Sequence, residues 1–226
     1  MFMKKFLIPI LTVIILLTGC NHTNTGQEPS TSYSDPPPTI IIRNKETLEN
    51  IQDILTGDDM TEDEFGEYVA YTLYAVIGNG ITKQDFICLF ELFEAMSVPV
   101  SEDLKLSGIY YIPPDNDLSV FFKSNSEEMY TFTFHIDRPT VEQYIQKEMG
   151  KKPTSIYQKE NARVKVYNTI EKDDLDTHQI SFLMDIDGYF VRAGYRNNEK
   201  DVSKMKPDEL FKDFSLTYLK DIPWAD

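Results

Sequence analysis

Apolar residues recur every three to four positions from about residue 40 to 100 and every second position beyond Gly108. Helices are therefore predicted first and strands after them. Following Asn44, the residues Leu48, Ile51 and Leu55 share one helical face. A second helix is predicted to open at Met60-Thr61-Glu62-Asp63-Glu64-Phe65. There Thr61 and Glu64 form a capping box, and Met60 with Phe65 forms a hydrophobic staple. That helix should bury Phe65, Val69, Leu73 and Val76 and stop at Gly78-Asn79-Gly80. The same grammar returns at Ile81-Thr82-Lys83-Gln84-Asp85-Phe86, with Asp85 in place of Glu. It predicts a third helix that buries Phe86, Leu89, Phe90 and Phe93 and ends before Pro99.

Further on, Leu118, Val120 and Phe122 alternate with polar or mixed neighbours. Tyr130, Phe132, Phe134 and Ile136 alternate with Thr131, Thr133, His135 and Asp137, which is the clearest strand in the chain. Pro139 then opens a helix to about Met149, and Val164, Val166 and Asn168 mark another strand. Asp187-Gly188 is a favoured two-residue hairpin turn. It sets a register in which Ile186 faces Tyr189, Met184 faces Val191, Phe182 faces Ala193 and Ile180 faces Tyr195. A last helix is predicted from Pro207 to Tyr218. From residue 108 the order is three strands and a helix, twice, which raises a βββα duplication without residue identity to prove it. Together these elements predict an α+β fold: a helical segment, then an antiparallel sheet with helices packed on one face.

The first twenty residues follow a different pattern. Lys4 and Lys5 precede an apolar run from Phe6 to Leu17, interrupted only by Pro9 and Thr12, and the small residues Thr18-Gly19 follow. The run is short of the roughly 20 apolar residues of a spanning helix. Leu17-Thr18-Gly19-Cys20 closely matches a lipobox, and on these residues the leader resembles that of a bacterial lipoprotein. The resemblance covers residues 1–20 alone. It implies cleavage before Cys20, acylation of the Cys20 sulfur by a diacylglycerol unit, and a chain lipid-anchored on the extracytoplasmic side of the cell membrane. Residues 21–39 are polar and rich in Ser, Thr and Pro, a composition that reads as a disordered tether. The predicted organisation is a signal peptide over 1–19, a tether over 20–39, a helical subdomain over 40–100 and an α+β sheet domain over 101–226.

Charge narrows the partners. The chain has 37 acidic and 22 basic residues, a formal net charge of −15, and loss of Lys4 and Lys5 with the leader lowers it by two more. This argues against nucleic acid, which needs a basic footprint. It also argues against a body lying flat on anionic lipid, so the membrane is a partner only through Cys20. Once Cys20 is acylated, Cys88 is the other cysteine of the chain. No disulfide framework is expected, and Cys88, inside Phe86-Ile87-Cys88-Leu89-Phe90, reads as a buried structural thiol.

Motifs for metal, phosphate or nucleophilic chemistry are absent from the sequence, so no catalytic residue, metal or cofactor is expected. The stretch from Gly78 to Phe86 fails as a calcium loop, because Ala75 and Ile77 would fall on ligating positions. Asp185-Ile186-Asp187-Gly188 is explained by the hairpin, and Asp173-Asp174-Leu175-Asp176 reads as a solvated acidic turn. One surface remains as a candidate. Arg192, Arg196 and Ser181 lie opposite the apolar stripe of the hairpin, and Thr131, Thr133 and His135 line the polar side of their strand. In a shared sheet covered by helices on its other side, these six would form one polar face for an anionic or sugar ligand, with the arginines as forks. The plain alternative is a solvated sheet face. The leading functional expectation is a non-enzymatic, lipid-anchored binding or interaction module for an unidentified protein or small molecule. Two others stay open: a cell-envelope hydrolase acting on glycan or peptide through carboxylates, and a transporter-associated capture lipoprotein.

Overall fold

A computed structural model describes residues 36–57, 60–126, 128–149, 156–158, 164–167 and 177–225. The leader with Cys20, most of the tether, Asn168 and the acidic turn at 173–176 lie outside these residues.

The protein is α+β and mostly sheet. Its strands are β1 (Thr39–Ile42), β2 (Val76–Ile77), β3 (Ser97–Val100), β4 (Lys105–Ile112), β5 (Asp117–Lys123), β6 (Met129–His135), β7 (Ile156–Gln158), β8 (Val164–Tyr167), β9 (Gln179–Ile186), β10 (Tyr189–Arg196) and β11 (Ser215–Tyr218). Nine of them form one sheet in the order β2-β1-β4-β5-β6-β10-β9-β8-β7, and β11 pairs with β3 in a second. Every pairing between these strands is antiparallel. The helices are α1 (Lys45–Thr56), α2 (Glu62–Glu67), α3 (Lys83–Ala95), α4 (Val141–Tyr144) and α5 (Pro207–Leu210).

Local chemistry sets the helix starts. Asn44 caps α1 by accepting from Thr47 N, and both predicted capping boxes form, at Thr61 with Glu64 and at Thr82 with Asp85. The Thr61 backbone N–H donates to Glu64 Oε2 at 2.9 Å, and that bond, joined by one from the Thr61 hydroxyl, holds the Glu64 carboxyl below its usual range. The turn residues Asp187 and Gly188 have φ of 54° and 88°, and the hairpin register is the one predicted.

Tertiary pairing overrides local propensity at four places. The stretch 40–100 is not wholly helical, since Thr39–Ile42 and Val76–Ile77 form strands β1 and β2 of the main sheet. Thr39 therefore belongs to the sheet and not to the tether. The second helix ends early: α2 widens into a π-turn over Tyr68–Thr72, and the chain breaks at Tyr74, whose φ is +50°. Arg43 Nη1 donates to the Tyr74 carbonyl at 2.8 Å, and Ala75 N donates to Val69 O at 2.9 Å. The break frees Val76 and Ile77 to cover the outer edge of β1, whose backbone groups need partners. Gly78 follows with φ +82°, and a Cβ there would meet Pro38 Cα at 3.0 Å, so only glycine lets the proline run approach.

The last helix is likewise short. Only Pro207–Leu210 is helical, and Ser215–Tyr218, predicted as its end, is strand β11 along β3. Ser97–Val100, after the third helix, is the strand it pairs with, and Pro99 sits at this minor sheet's ladder. Past Val141–Tyr144, α4 continues as a π-helix to Met149.

Asp35–Asp226 forms one compact unit, so the boundary expected at residue 100 runs through a shared sheet and a shared core. That core joins Leu48, Phe65, Phe86 and Phe93 of the helical segment to Val120, Phe132, Phe182 and Ala193 of the sheet. Leu219 and Ile222, after β11, close it. Cys88 is half-buried beside this core, on the flank of the phenylalanine stripe of α3, and Gln84 Nε2 reaches its sulfur at 3.6 Å. The sheet also carries a helix on its other side. Val141 and Ile145 pack with Tyr167, Leu183 and Phe190, residues whose strand positions point away from the main core. Among the described residues no helix is long and apolar enough to cross a membrane.

Candidate functional site

The register of the sheet decides which side chains share a surface, because partners directly opposite each other lie on the same face and positions alternate along a strand. Phe132, Val120 and Ala193 are cross-strand partners on the covered face. Their chain neighbours form the opposite face in three rows. The first runs Tyr110, Ser119, Thr133, Arg192, Leu183. The second runs Gly108, Phe121, Thr131, Gly194, Ser181, and the third Lys105, Lys123, Met129, Arg196, Gln179. A further row beyond the first holds Asp117, His135 and Phe190.

All six sequence-predicted residues, Thr131, Thr133, His135, Ser181, Arg192 and Arg196, therefore stand on one face of β6, β9 and β10. They do not stand in one environment. Thr131, Thr133, Ser181, Arg192 and Arg196 are half-buried around Gly194. His135 is only 8% exposed, with its ring against Phe190 at 5.1 Å between centroids. Its Nδ1 lies 2.8 Å from Asp117 Oδ1, and Arg138 Nη2 is 3.9 Å from the other Asp117 oxygen. The second ring nitrogen, Nε2, has no hydrogen-bond partner among the described residues.

Sequence reasoning missed Lys105 and Lys123, which stand directly opposite each other in the third row. It also missed Ser119, whose hydroxyl is 2.8 Å from that of Thr133, and the Tyr110–Phe121 ring pair, 4.7 Å apart and tilted by 53°. The signal for β5 was present: Asp117, Ser119, Phe121 and Lys123 are the alternate positions of the stripe Leu118, Val120, Phe122. What was missing was that β5 lies next to β6.

The register thus sets a strip of small residues between two cation-bearing rows, which we term the trough. Its floor is Thr131, Gly194 and Ser181, with Arg192 on one side and Arg196 and Lys123 on the other. Arg192 and Arg196 are four strand positions apart, about 14 Å between Cα atoms at the rise of an antiparallel strand. Arg196 Nε donates to Asn198 Oδ1 at 2.9 Å, which sets the plane of the guanidinium, and its Nη groups have no partner among the described residues. No strand position in these three rows carries a carboxylate. Residues 46–82, in contrast, contain nine acidic residues and no Lys or Arg. The charge is thus segregated and not merely diluted.

Tyr195 and Tyr130 lie beneath, on the covered face, and burial pushes both phenols up. Tyr195 donates to Glu128 Oε1 at 3.0 Å. These tyrosines are structural and do not serve the trough as acids. The shallow groove along α4, lined by Pro139, Gln143, Tyr144, Gln146 and Lys147, gathers none of the predicted residues. Among the described residues no group of three or more His, Cys, Asp or Glu is placed to hold a metal ion.

No known protein family matches the chain, and neither a curated protein nor a solved structure is significantly similar to it.

Proposed function

We propose that this chain is a lipoprotein anchored through Cys20 on the extracytoplasmic face of the cell membrane, and that its folded part is a non-enzymatic module binding an anionic ligand on the polar sheet face. One observation carries the binding half of this reading. A chain of formal charge −15 sets Lys105, Lys123, Arg192 and Arg196 around a small-residue floor on one side of its sheet. An arginine fork meets a carboxylate or phosphate through paired, charge-assisted hydrogen bonds. The overall negative charge keeps polyanions off the rest of the surface, so binding is confined to the trough.

The test uses the full-length chain in neutral detergent, titrated calorimetrically with polyglutamate and polyphosphate. Replacing Arg192 and Arg196 together with alanine is expected to weaken binding about 100-fold, from the loss of two charge-assisted contacts. Gly194→Val should also block binding while the fold is kept, because among the described residues a Cβ at that position meets Thr131 Cβ at 3.8 Å, an ordinary contact, and nothing closer. Unchanged affinity in both variants would refute the trough as the site.

The anchoring half is checked separately. An alkyne-tagged fatty acid fed to an expressing bacterium is expected to label the wild-type chain and not Cys20→Ser. Equal labelling of the two would remove the lipid from the proposal.

A further inference from the structure

We infer that the anion taken by this face belongs to a second copy of the same chain, and that it is the acidic, tyrosine-bearing ridge of residues 62–74. The inference rests on the trough being an anion site and names its occupant.

The ridge is built by α2 and the π-turn that follows it. Phe65 and Val69 turn one side of this stretch into the main core. Asp63, Glu67 and Tyr71, spaced four residues apart, share the solvent side, and all three are exposed. Tyr71 is 76% exposed and Tyr74 70%, more than any other large apolar side chain among the described residues. Tyr74 is held there against its preference. Its φ of +50° is rare for a bulky residue, and Arg43 Nη1 fixes its carbonyl at 2.8 Å. Backbone outliers of this kind gather at binding surfaces, and tyrosine brings to such a surface a wide apolar body with a polar tip.

The ridge and the trough match in charge and in length. Residues 62–74 contain Glu62, Asp63, Glu64 and Glu67 and no Lys or Arg. The trough rows contain four cations and no carboxylate. From Glu62 to Thr72 the helical stretch runs about 15 Å, against about 14 Å between Arg192 and Arg196. One end of this sheet face already carries a helix, since Val141 and Ile145 of α4 pack with Leu183, which closes the Arg192 row. A ridge docked beside α4 extends that helical layer over the cations.

The two surfaces lie on opposite sides of the sheet. Phe65 shares the core beneath the face that Phe132 lines, and the trough is on the other face. They cannot meet within one chain, so the ridge of one copy joins the trough of the next, head to tail. The net charge of −15 opposes approach only at long range. At physiological salt the screening length is about 8 Å, and the charges in contact decide.

The test is sedimentation equilibrium of the full-length chain in density-matched neutral detergent. The mass is expected to rise above one copy with protein concentration, and less so at high salt. Arg192→Glu with Arg196→Glu should weaken self-association about 100-fold, and so should Asp63→Lys with Glu67→Lys. Neither swapped chain should assemble alone, while an equal mixture of the two should assemble as the wild type does. The ridge swap should keep polyglutamate binding, and the trough swap should lose it. Tyr71→Ser with Tyr74→Gly should weaken assembly about tenfold, with a glycine that suits the positive φ and so keeps the fold.

A single-copy mass at every concentration with polyglutamate binding intact would overturn this inference and leave the anion site standing. Absence of both would overturn both. Assembly that neither charge swap weakens, or a mixture of the swapped chains that stays monomeric, would place any contact elsewhere and overturn the pairing.

Discussion

Phe132→Ala is expected to destabilise the fold by about 3–5 kcal/mol, the range for emptying a well-packed aromatic site. Phe132 is fully buried at the middle of β6, between Val120 of β5 and Ala193 of β10. Its ring meets Phe122 edge-on at 5.9 Å. It lies where the β4-β5-β6 and β10-β9-β8 halves of the sheet join, so neither half can collapse into the space alone. A domain of this kind has only about 5–15 kcal/mol in reserve. Urea unfolding should show a lower midpoint with an unchanged slope, the mark of lost stability without a changed native surface. A loss under about 1 kcal/mol would mean that this junction repacks freely and is not the fold's centre. The side chain points away from the trough, so the folded variant should bind anions as before.

Removal of residues 215–226 is the second large effect, and cooperative folding should be lost. This segment looks peripheral in the sequence, yet β11 is the only strand paired to β3 among the described residues. Beyond it, Leu219 N donates to Met96 O at 3.0 Å. Leu106 N donates to Pro223 O, and Ala225 N to Leu106 O, both at 2.8 Å. Leu219 and Ile222 are buried in the main core. Deleting two such side chains costs about 4–8 kcal/mol on the scale of large-to-small core changes, comparable with the whole reserve. The backbone bonds and β3 lose their partners as well. A gentler variant, Leu219→Ala, should remain folded with a loss of about 2–4 kcal/mol. A sharp thermal transition in the truncated chain would show instead that the segment is an appendage.

Much of the fold follows from local rules, and the residues show why. Thr61 with Glu64 and Thr82 with Asp85 cap their helices through bonds that span three residues, so no distant partner is needed to read them. Asp187-Gly188 sets the β9–β10 register in the same way, because a two-residue turn leaves the flanking strands one way to pair. Val76-Ile77 and Ser215–Tyr218 fit a helical pattern in the sequence and are strands in the fold. Each is a short apolar or mixed run without a breaker, and the pattern alone cannot separate helix from strand. What decided them was an edge awaiting a partner, β1 in one case and β3 in the other.

The trough divides along the same line. The alternation along β6 and β10 already assigned Thr131, Thr133, Arg192 and Arg196 to the polar side of their strands. That β6 pairs with β10, and not with a strand nearer in sequence on that edge, appears nowhere in the sequence. Pairing order brought in Lys105, Lys123 and Ser119, and it separated His135 from the others by burying it against Asp117 and Phe190.

By itself, then, the sequence determined the lipobox pattern at the leader, the helix starts, the hairpin and the face of each strand residue. These depend on neighbours within a few positions, where spacing and side-chain chemistry are enough. The tertiary structure alone decided which strands are adjacent, where two helices give way to edge strands, and which cations converge. Those outcomes depend on groups far apart in the chain competing for the same backbone partners and the same core, and a local pattern does not record that competition.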